Sequence, residues 1–353
     1  MSTLRNRVLV ASGVVGVALV VGQGLTARGG GLPTALAKEE APVAGALRGV
    51  WTAERSKWRV ENGGTATLVE LSLRRVGGRG QWNSSETLPL PELRGLTTAM
   101  LEAPSADARF AWTRDAGTFD CQGRFETGVG AGHFTFTASA EYVSDMKRRG
   151  YGDIDVEKAL RLALHDVSRS FVDELARLGY EHVPMDGLIS LRIHGASPEF
   201  IKGMASLGYR KLSIDQLTSL RIHGASLDFV RDVQSLGYTG LPTDKLVSFR
   251  IHGVSPEFIR AFKALGYASL TPDQLVSMRI HGVSPEFVKE LASLGYKGVD
   301  VSDLVSMRIH GVTSDFIRGI HERGFKDATV DELIQMRIHG IGTRRARGSK
   351  TWL

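Results

Sequence analysis

The sequence is poor in cysteine and has no large excess of charge of one sign. Cys121 is the only cysteine among 353 residues, which excludes an intramolecular disulfide, and a lone cysteine is more typical of a small buried side chain than of a nucleophile. Positive and negative residues nearly balance, with 44 Lys and Arg against 38 Asp and Glu, for a formal net charge of +6. So small an excess gives no indication of a nucleic acid as partner.

A hydrophobic run long enough for a typical membrane helix is also lacking. The apolar run from Val8 to Val21 has 14 residues, whereas a transmembrane helix requires about 20. Arg5 and Arg7 precede this run, and a short basic segment followed by a short apolar one is typical of an export signal. The rest of the chain is therefore predicted to be exported, as a periplasmic or secreted protein.

Where this signal ends is left open by the sequence. Ala35-Leu36-Ala37 has the small-x-small pattern of a cleavage site, but its distance from the apolar run also allows an uncleaved anchor. We predict a signal peptide or N-terminal anchor over residues 1–37, with residues 8–25 held in the inner membrane if the anchor is retained. A linker over residues 38–46 follows.

Motifs of the common catalytic sites are missing as well. The sequence has no Gly-x-x-x-x-Gly-Lys loop for phosphate and no Gly-x-Ser-x-Gly elbow for a nucleophilic serine. His321 and the glutamate after it begin like the zinc-protease motif His-Glu-x-x-His, but Phe325 stands where the second histidine should be. Asp115, Asp120 and His133 have no spacing that indicates catalysis. We therefore predict no enzyme activity, no catalytic residue, no cofactor and no metal.

Alternating apolar and polar residues indicate strands in the first half of the chain. Residues 66–73, 109–114, 118–125 and 133–137 show this period of two, and Asp115-Ala116-Gly117 has the composition of a turn. Period-two segments joined by tight turns are typical of an antiparallel meander. We predict a small antiparallel β-sandwich or β-barrel over residues 47–138.

A repeat of constant length follows. Gly-Tyr recurs every 29 residues from Gly150, and His165 keeps the same phase, so the array begins near Ser139. An exact interval without insertions is specific to repeat architectures. We predict an all-α solenoid of two-helix repeats over residues 139–341 and a basic tail over residues 342–353, which makes the chain an α+β multidomain protein. The clearest marker of the array is the tetrapeptide Arg-Ile-His-Gly, which begins at Arg192, Arg221, Arg250, Arg279, Arg308 and Arg337.

One repeat unit shows why two short helices are expected. Ser255 is predicted to cap the first helix and Pro256 to occupy its first position, while Gly266 ends it with a positive φ angle. Thr271 starts the second helix in the same way. Helices this short are marginal in isolation, so neighbouring repeats must stabilise one another. The second helix has a predicted apolar face made of Leu275, Val276, Met278 and Ile280.

The repeated histidines raise the question of a metal site. Packed helices lie about 8–10 Å apart, whereas zinc ligands lie about 2.1 Å from one ion. We therefore expect equivalent histidines to form a ladder of helix-ending residues, with metal binding and pH sensing as the alternatives.

The repeated arginines have two interpretations. Ion pairs between repeats are favoured because acidic residues recur seven residues later; an anion-binding stripe is the alternative. These acidic residues are Glu199, Asp228, Glu257, Glu286 and Asp315. The candidate repeat-surface binding or ladder residues are Arg192, His194, Arg221, His223, Arg250, His252, Arg279, His281, Arg308, His310, Arg337 and His339.

Three functions are compatible with this organisation. The array without a catalytic motif favours a non-enzymatic exported scaffold that presents a helical-repeat surface to a protein or peptide partner in the cell envelope. One alternative is a small-molecule or envelope-stress sensor with its ligand in the β domain, where Trp51, Trp58, Trp82 and Trp112 would supply apolar lining. The other is a hydrolase with an unrecognised site.

Two segments carry a family resemblance. The unit RIHGVSPEFIRAFKALGYASLTPDQLVSM is similar to tandem repeats in exported bacterial proteins of unknown function and in the extracytoplasmic part of some beta-lactam-sensing-type regulatory membrane metallopeptidases. The segment RDAGTFDCQGRFETGVGAGHFTFTAS resembles the β segment that precedes such repeats. The resemblance covers roughly residues 109–341 and implies a sensory or scaffolding role at the envelope. It does not imply proteolysis, because this sequence has no counterpart of the metallopeptidase's membrane helices or His-Glu-x-x-His site.

Overall fold

A computed structural model describes residues 46–56, 67–75 and 82–341 in two compact units. The first unit contains the β strands and the first helices, up to residue 176 together with residues 180–189, and the second contains the rest of the helices. The predicted signal or anchor, the linker before residue 46, the basic tail and Trp58 lie outside the described residues. Within the described ranges, no helix has the length and apolar content needed to cross a bilayer.

The strands form one seven-stranded antiparallel sheet in the order β3-β2-β1-β7-β6-β5-β4. Its outer strands, β3 and β4, do not pair with each other, so the curled sheet is a half-barrel and the predicted α+β architecture is confirmed. The strands are β1 (Ala46–Arg55), β2 (Leu68–Arg75), β3 (Asn83–Pro89), β4 (Leu93–Arg94), β5 (Ser105–Arg114), β6 (Gly117–Glu126) and β7 (Val129–Ala138).

One face of the half-barrel is apolar and the other is polar. The alternation along β6 buries Phe119, Cys121 and Phe125, while Asp120 between them is exposed. The apolar residues of the neighbouring strand β7 lie on the same face of the sheet. Phe136 of β7 is opposite Phe119 of β6, and both rings are buried. The period of two in the sequence therefore identified the correct faces of these strands.

Aromatic rings fill the apolar face by lying over glycines of the next strand or, for Trp51 on β1 and Gly123 on β6, of the strand after that. At four positions an added Cβ atom would stand 2.4–2.7 Å from an aromatic carbon, closer than atoms in contact can approach. The interior is thus packed by the strands' own side chains, which gives no support to a ligand cavity inside this sheet. The glycine–ring pairs are Gly49 with Phe134, Gly117 with Phe136, Gly130 with Phe125 and Gly123 with Trp51.

The Cys121 thiol lies within this filled face. Burial raises the pKa of Cys121 to about 12, and the nearby negative charge of Asp120 acts in the same direction. We expect a thiol-specific disulfide reagent at pH 8 to label the native chain far more slowly than the urea-unfolded chain, because the thiolate is the reactive form. Equal rates in the two states would contradict the burial of this side chain.

Fifteen helices are described, and all but the first follow the 29-residue interval. α1 (Thr98–Glu102) lies between β4 and β5. The others have nine or ten residues, and equivalent helices start 29 residues apart from α2 onward, of which the first begins at Ala140. These helices are α2 (Ala140–Arg148), α3 (Val156–Leu164), α4 (Arg169–Arg177), α5 (Met185–Ile193), α6 (Pro198–Ser206), α7 (Ile214–Ile222), α8 (Leu227–Ser235), α9 (Thr243–His252), α10 (Pro256–Ala264), α11 (Pro272–Ile280), α12 (Pro285–Ser293), α13 (Val301–Ile309), α14 (Ser314–Glu322) and α15 (Val330–Ile338).

The predicted cap residues begin and end these helices. The Ser255 side chain accepts a hydrogen bond from the Phe258 backbone N–H, and Thr271 forms a capping box with Gln274. Gly266 has a φ of +95° and ends α10. The next residue, Tyr267, folds back so that its backbone N–H donates to the Phe262 carbonyl oxygen at 3.0 Å.

The first repeat differs from the others because α3 packs on the sheet. It contacts β1, β6 and β7, and since the other sheet face is exposed and polar, α3 covers the apolar face. Leu160, Ala163 and Leu164 are all buried. Ala163 occupies the position of the repeated arginine, and Leu164 that of the repeated isoleucine. The divergent sequence around His165 thus belongs to a helix that contacts strands as well as helices.

Candidate functional site

The Arg-Ile-His-Gly tetrapeptide lies at the end of the second helix of each repeat. In α11 the arginine and isoleucine are the last two helical residues, His281 is the C-cap, and Gly282 follows with a φ of +69°. The equivalent glycines of the other units have φ between +68° and +71°. Because L side chains rarely adopt this conformation, the glycine of the motif is explained by the turn that it makes.

The arginine of the motif joins one repeat to the preceding one. The Arg279 guanidinium lies 5.0 Å from the centre of the Phe258 ring, and its Nε donates to the His252 carbonyl oxygen at 3.4 Å. It also covers Gly253, since an added Cβ there would stand 2.8 Å from Arg279 Nη2. The same stacking on phenylalanine recurs, at 5.0–5.2 Å, for Arg221, Arg250, Arg308 and Arg337.

These contacts replace the predicted ion-pair ladder. Among the described residues, none of these five arginines has a carboxylate within ion-pair distance, so for them that prediction is wrong. Three of the recurring acidic residues, Asp228, Glu257 and Asp315, instead pair with an arginine three positions later in their own helix, as Glu257 does with Arg260 at 3.0 Å. The planar guanidinium group of each arginine stacks on an aromatic ring. The spacing of residues in the sequence does not predict this contact.

Replacing Arg279 by lysine is expected to lower the free energy of unfolding by about 1 kcal/mol. A lysine keeps the charge but lacks the planar guanidinium that stacks on Phe258 and donates to the His252 carbonyl. The matched control is Arg260→Lys, in an exposed pair that should contribute little. Urea unfolding of the two variants should separate them, and equal midpoints would count against the stacking.

The histidines end helices, as predicted. His223, His281, His310 and His339 are C-cap residues, and the histidine carbonyls of three repeats accept the arginine hydrogen bonds described above. The side chains are half-buried in the first two repeats of the motif and exposed in the last four. In the part of the chain that the structure describes, no group of three His, Cys, Asp or Glu side chains is placed to hold a metal ion.

The isoleucine of the motif was wrongly assigned to the helix core. In α11, Leu275 and Met278 are fully buried and Val276 is half-buried, but Ile280 is exposed. Helical geometry explains this: Ile280 follows Leu275 by five residues, a rotation of about 140° around the axis at about 100° per residue. The six isoleucines are 48–56% exposed, at Ile193, Ile222, Ile251, Ile280, Ile309 and Ile338.

A tyrosine ladder also connects the repeats, and one interruption opens a pocket. The hydroxyl groups of Tyr238, Tyr267 and Tyr296 donate to the carbonyl oxygen 32 residues later at 2.7–2.8 Å. The Tyr209 hydroxyl, equivalent in sequence, makes no such bond to the Leu241 carbonyl, and a pocket of about 630 Å³ is lined by both residues. The pocket therefore marks a local departure from the ladder.

A smaller pocket of about 280 Å³ contains charged groups of both signs. Ser314 donates a hydrogen bond to Glu290, and Arg318 pairs with Asp315 at 2.5 Å. Arg308, stacked on Phe287, forms part of its wall. Because Ser314 ties Glu290 to the next repeat and Asp315 is paired within its own helix, these contacts stabilise the helices and do not resemble a reaction centre.

The polar residues noted in the β domain do not converge. Asp115 accepts hydrogen bonds from the Arg169 backbone N–H at 2.8 Å and from its Nη2 at 3.0 Å. Burial alone would raise the pKa of Asp115, but these hydrogen bonds lower it below its ordinary value. Asp115 thus anchors the start of α4, while Asp120 and His133 are exposed on the polar face of the sheet.

Comparison with known proteins adds no function. No protein-family model matches the chain, and no curated protein matches it significantly.

Proposed function

We propose that this protein is a non-enzymatic exported scaffold whose repeat array binds a protein or peptide partner in the cell envelope. The observation that carries the proposal is the repetition of the same half-exposed isoleucine at the end of a second helix, at six positions from Ile193 to Ile338. In the motif, the arginine and the glycine have structural roles, which the stacking and the positive φ angles explain. The isoleucine and the histidine side chains have no such role in the described contacts.

Repetition of a half-exposed apolar residue is informative because recurring exposed positions of the first helix, such as those of Glu257 and Arg260, are charged. An isoleucine that is exposed by half is present in six of the seven second helices from α3 onward, and α3 has the buried Leu164 at this position. Repeat arrays commonly bind partners across such extended, regularly spaced surfaces.

Export rests on the N-terminal sequence pattern alone, and binding on the array, so each part has its own test. Protease accessibility of the full chain in intact and osmotically shocked cells tests export; protection that persists until the inner membrane is lysed would refute it.

A photo-reactive amino acid placed at Ser277, one turn from Ile280 on the same helix, tests binding. We expect one dominant cross-linked envelope protein, and a chain that cross-links to nothing above background would refute the proposal.

A further inference from the structure

The half-exposed isoleucines of the motif lie close to guanidinium groups of the following repeats. A Cβ on Gly253, two residues after an isoleucine, would stand 2.8 Å from Arg279 Nη2. A Cβ on Gly282 would stand 3.5 Å from Arg308 Nη2. The arginine of one repeat thus lies against the helix end that carries the isoleucine of the preceding repeat. These isoleucines, called the isoleucine row, are Ile193, Ile222, Ile251, Ile280, Ile309 and Ile338.

Two contacts hold the guanidinium groups in place. The planes of five of them stack on a phenylalanine of the preceding repeat at 5.0–5.2 Å. In three of these repeats Nε also donates to the carbonyl oxygen of the preceding histidine at 3.3–3.4 Å. A cation that is already ordered in this way loses little conformational entropy when it binds a ligand.

The terminal nitrogens of these guanidinium groups have no acceptor within the chain. Among the described residues, no hydrogen bond or ion pair involves Nη1 or Nη2 of Arg221, Arg250, Arg279, Arg308 or Arg337. Arg250 and Arg279 are exposed, and the other three are half-buried. Nη1 and Nη2 together form a fork that matches the two oxygens of a carboxylate. The arginines therefore offer ordered, unused donors to an acceptor from outside the chain.

Nearby carboxylates do not neutralise these arginines. Asp228, Glu257 and Asp315, in the first turns of first helices, pair with an arginine of their own helix. Glu286 lines the same small pocket as Arg308 but lies beyond ion-pair distance of it. The aspartates in the first turns of α7, α9, α11 and α15 lie seven residues before an isoleucine of the row, about 10.5 Å away along the helix. A positive charge therefore remains at the helix ends that carry the row.

The chemistry of these helix ends favours a ligand with carboxylates and apolar side chains. Carboxylates complement the Nη atoms, and apolar side chains would bury the exposed half of each isoleucine. A polypeptide fits better than a lipid surface, because cations that bind a bilayer extend freely towards its headgroups. Here the guanidinium groups are folded back and stacked on rings of their own chain.

We infer that the ends of the second helices bind an acidic polypeptide segment, with its carboxylates on the Nη atoms of the motif arginines and its apolar side chains on the isoleucine row. One solvent-exposed ion pair contributes little to affinity. A segment that reaches several repeats gains affinity because its later contacts form within one complex. This inference rests on the proposed function and names the chemistry of the partner.

The probe is a fluorescent, flexible peptide of four Glu-Leu-Gly-Ser units, titrated with the full chain and followed by fluorescence anisotropy. In its two controls glutamine or lysine replaces every glutamate. We expect the glutamate peptide to bind at least about tenfold more tightly than the glutamine peptide, and added salt to weaken its binding by screening the charges. Equal affinities, tighter binding of the lysine peptide, or no saturable binding of the glutamate peptide below about 1 mM would overturn the inference.

The protein variant that tests the arginines replaces both Arg250 and Arg279 by glutamine. Affinity for the glutamate peptide should fall at least about tenfold, because two ordered guanidinium groups are lost. The matched control replaces Arg210 and Lys211 by glutamine, which removes the same number of charges from exposed residues before the start of α7, at the end away from the motif. An equal loss of affinity in the two variants would mean that net charge alone drives binding, and would overturn the inference.

A second variant avoids the packing role of the arginines. Ile251→Glu combined with Ile280→Glu changes only exposed side chains, so the circular dichroism melting curve should stay close to that of the parent chain. The new carboxylates occupy the row and repel the ligand, so affinity for the glutamate peptide should fall at least about tenfold and the lysine peptide should become the tighter ligand. Unchanged affinity for the glutamate peptide would overturn the inference even if the glutamine variant of the arginines does not fold.

Three further outcomes separate this inference from the proposed function. An envelope partner that still cross-links to the folded Ile251→Glu, Ile280→Glu chain would leave the scaffold in place and overturn the inference. Binding to phosphatidylglycerol vesicles that requires Arg250 and Arg279, and that the glutamate peptide does not displace, would assign the surface to lipid and also overturn it. Loss of the envelope partner together with loss of the glutamate peptide supports both proposals.

Discussion

The free energy of unfolding of the repeat array is expected to fall by about 3–5 kcal/mol when Phe258 is replaced by alanine. The ring is 7% exposed, lies 4.8 Å from the Phe262 ring between centres, and supports the Arg279 guanidinium at 5.0 Å. Truncation therefore leaves a cavity in α10 and removes the platform on which the next helix rests. Because each short helix is held by its neighbours, unfolding should spread to adjacent repeats.

Phe325→Ala is the matched control for this prediction. Phe325 is also an aromatic residue of the array but is 51% exposed, so its truncation should change stability by no more than about 0.5 kcal/mol. Urea unfolding followed by circular dichroism at 222 nm measures both. Similar midpoints for the two variants would mean that the first-helix phenylalanine is not a core residue.

The helices and their ends were predictable because their signals are local. A serine or threonine cap, a proline at the first position and a glycine at the end act within one turn, and the structure has them at Ser255, Pro256 and Gly266 as expected. The buried faces of β6 and β7 were also predictable, because apolar and polar residues alternate along a strand when one face of the sheet is polar. The 29-residue repeat of the sequence likewise corresponds to a 29-residue repeat of the helices.

Features that depend on contacts between repeats were not predictable from spacing. The arginine has an acidic residue seven positions later in sequence, yet its guanidinium stacks on a phenylalanine 21 residues before it, as Arg279 does on Phe258. Strand β3 was missed because Asn83–Pro89 is a polar edge strand with little apolar alternation. The isoleucine row was missed because an apolar residue was assumed to be buried, although the rotation from Leu275 to Ile280 already separates their faces.

The Arg-Ile-His-Gly tetrapeptide contains residues that stabilise the repeats and one residue, the isoleucine, that does not. Its arginine and glycine serve the junction between repeats, so selection for a stable stack is enough to keep them. Its isoleucine increases exposed apolar surface and stabilises nothing that the described contacts reveal. Its recurrence at the end of six second helices is the reason for which we propose a ligand at this position.

In the β domain, Gly132→Ala is expected to lower the free energy of unfolding by at least about 3 kcal/mol. A Cβ at this position would stand 2.1 Å from the Gln122 carbonyl oxygen and 2.6 Å from the Gly123 Cα, so backbone atoms of β6 must move. Gly132 pairs with Trp51 across β1 and β7, and the Trp51 indole N–H donates to that same carbonyl at 3.2 Å. One methyl group thus disturbs three central strands and a buried tryptophan.

The sign of the change in the free energy of unfolding distinguishes two consequences of replacing Gly132 by alanine. Steric overlap in the folded state lowers the stability, whereas reduced backbone entropy in the unfolded state raises it. An ordinary glycine replaced by alanine in a compatible conformation gains about 0.4–1 kcal/mol, because the unfolded chain loses conformational entropy. Gly132 has an ordinary φ, so any large loss must come from the lack of space. The control is Ala131→Val, the exposed neighbour on the same strand, which should change stability by no more than about 0.5 kcal/mol. Tryptophan fluorescence during urea unfolding follows mainly the β domain, because four of the five tryptophans lie between residues 51 and 112. A Gly132→Ala chain as stable as its parent would show that β6 and β7 are farther apart than this packing requires.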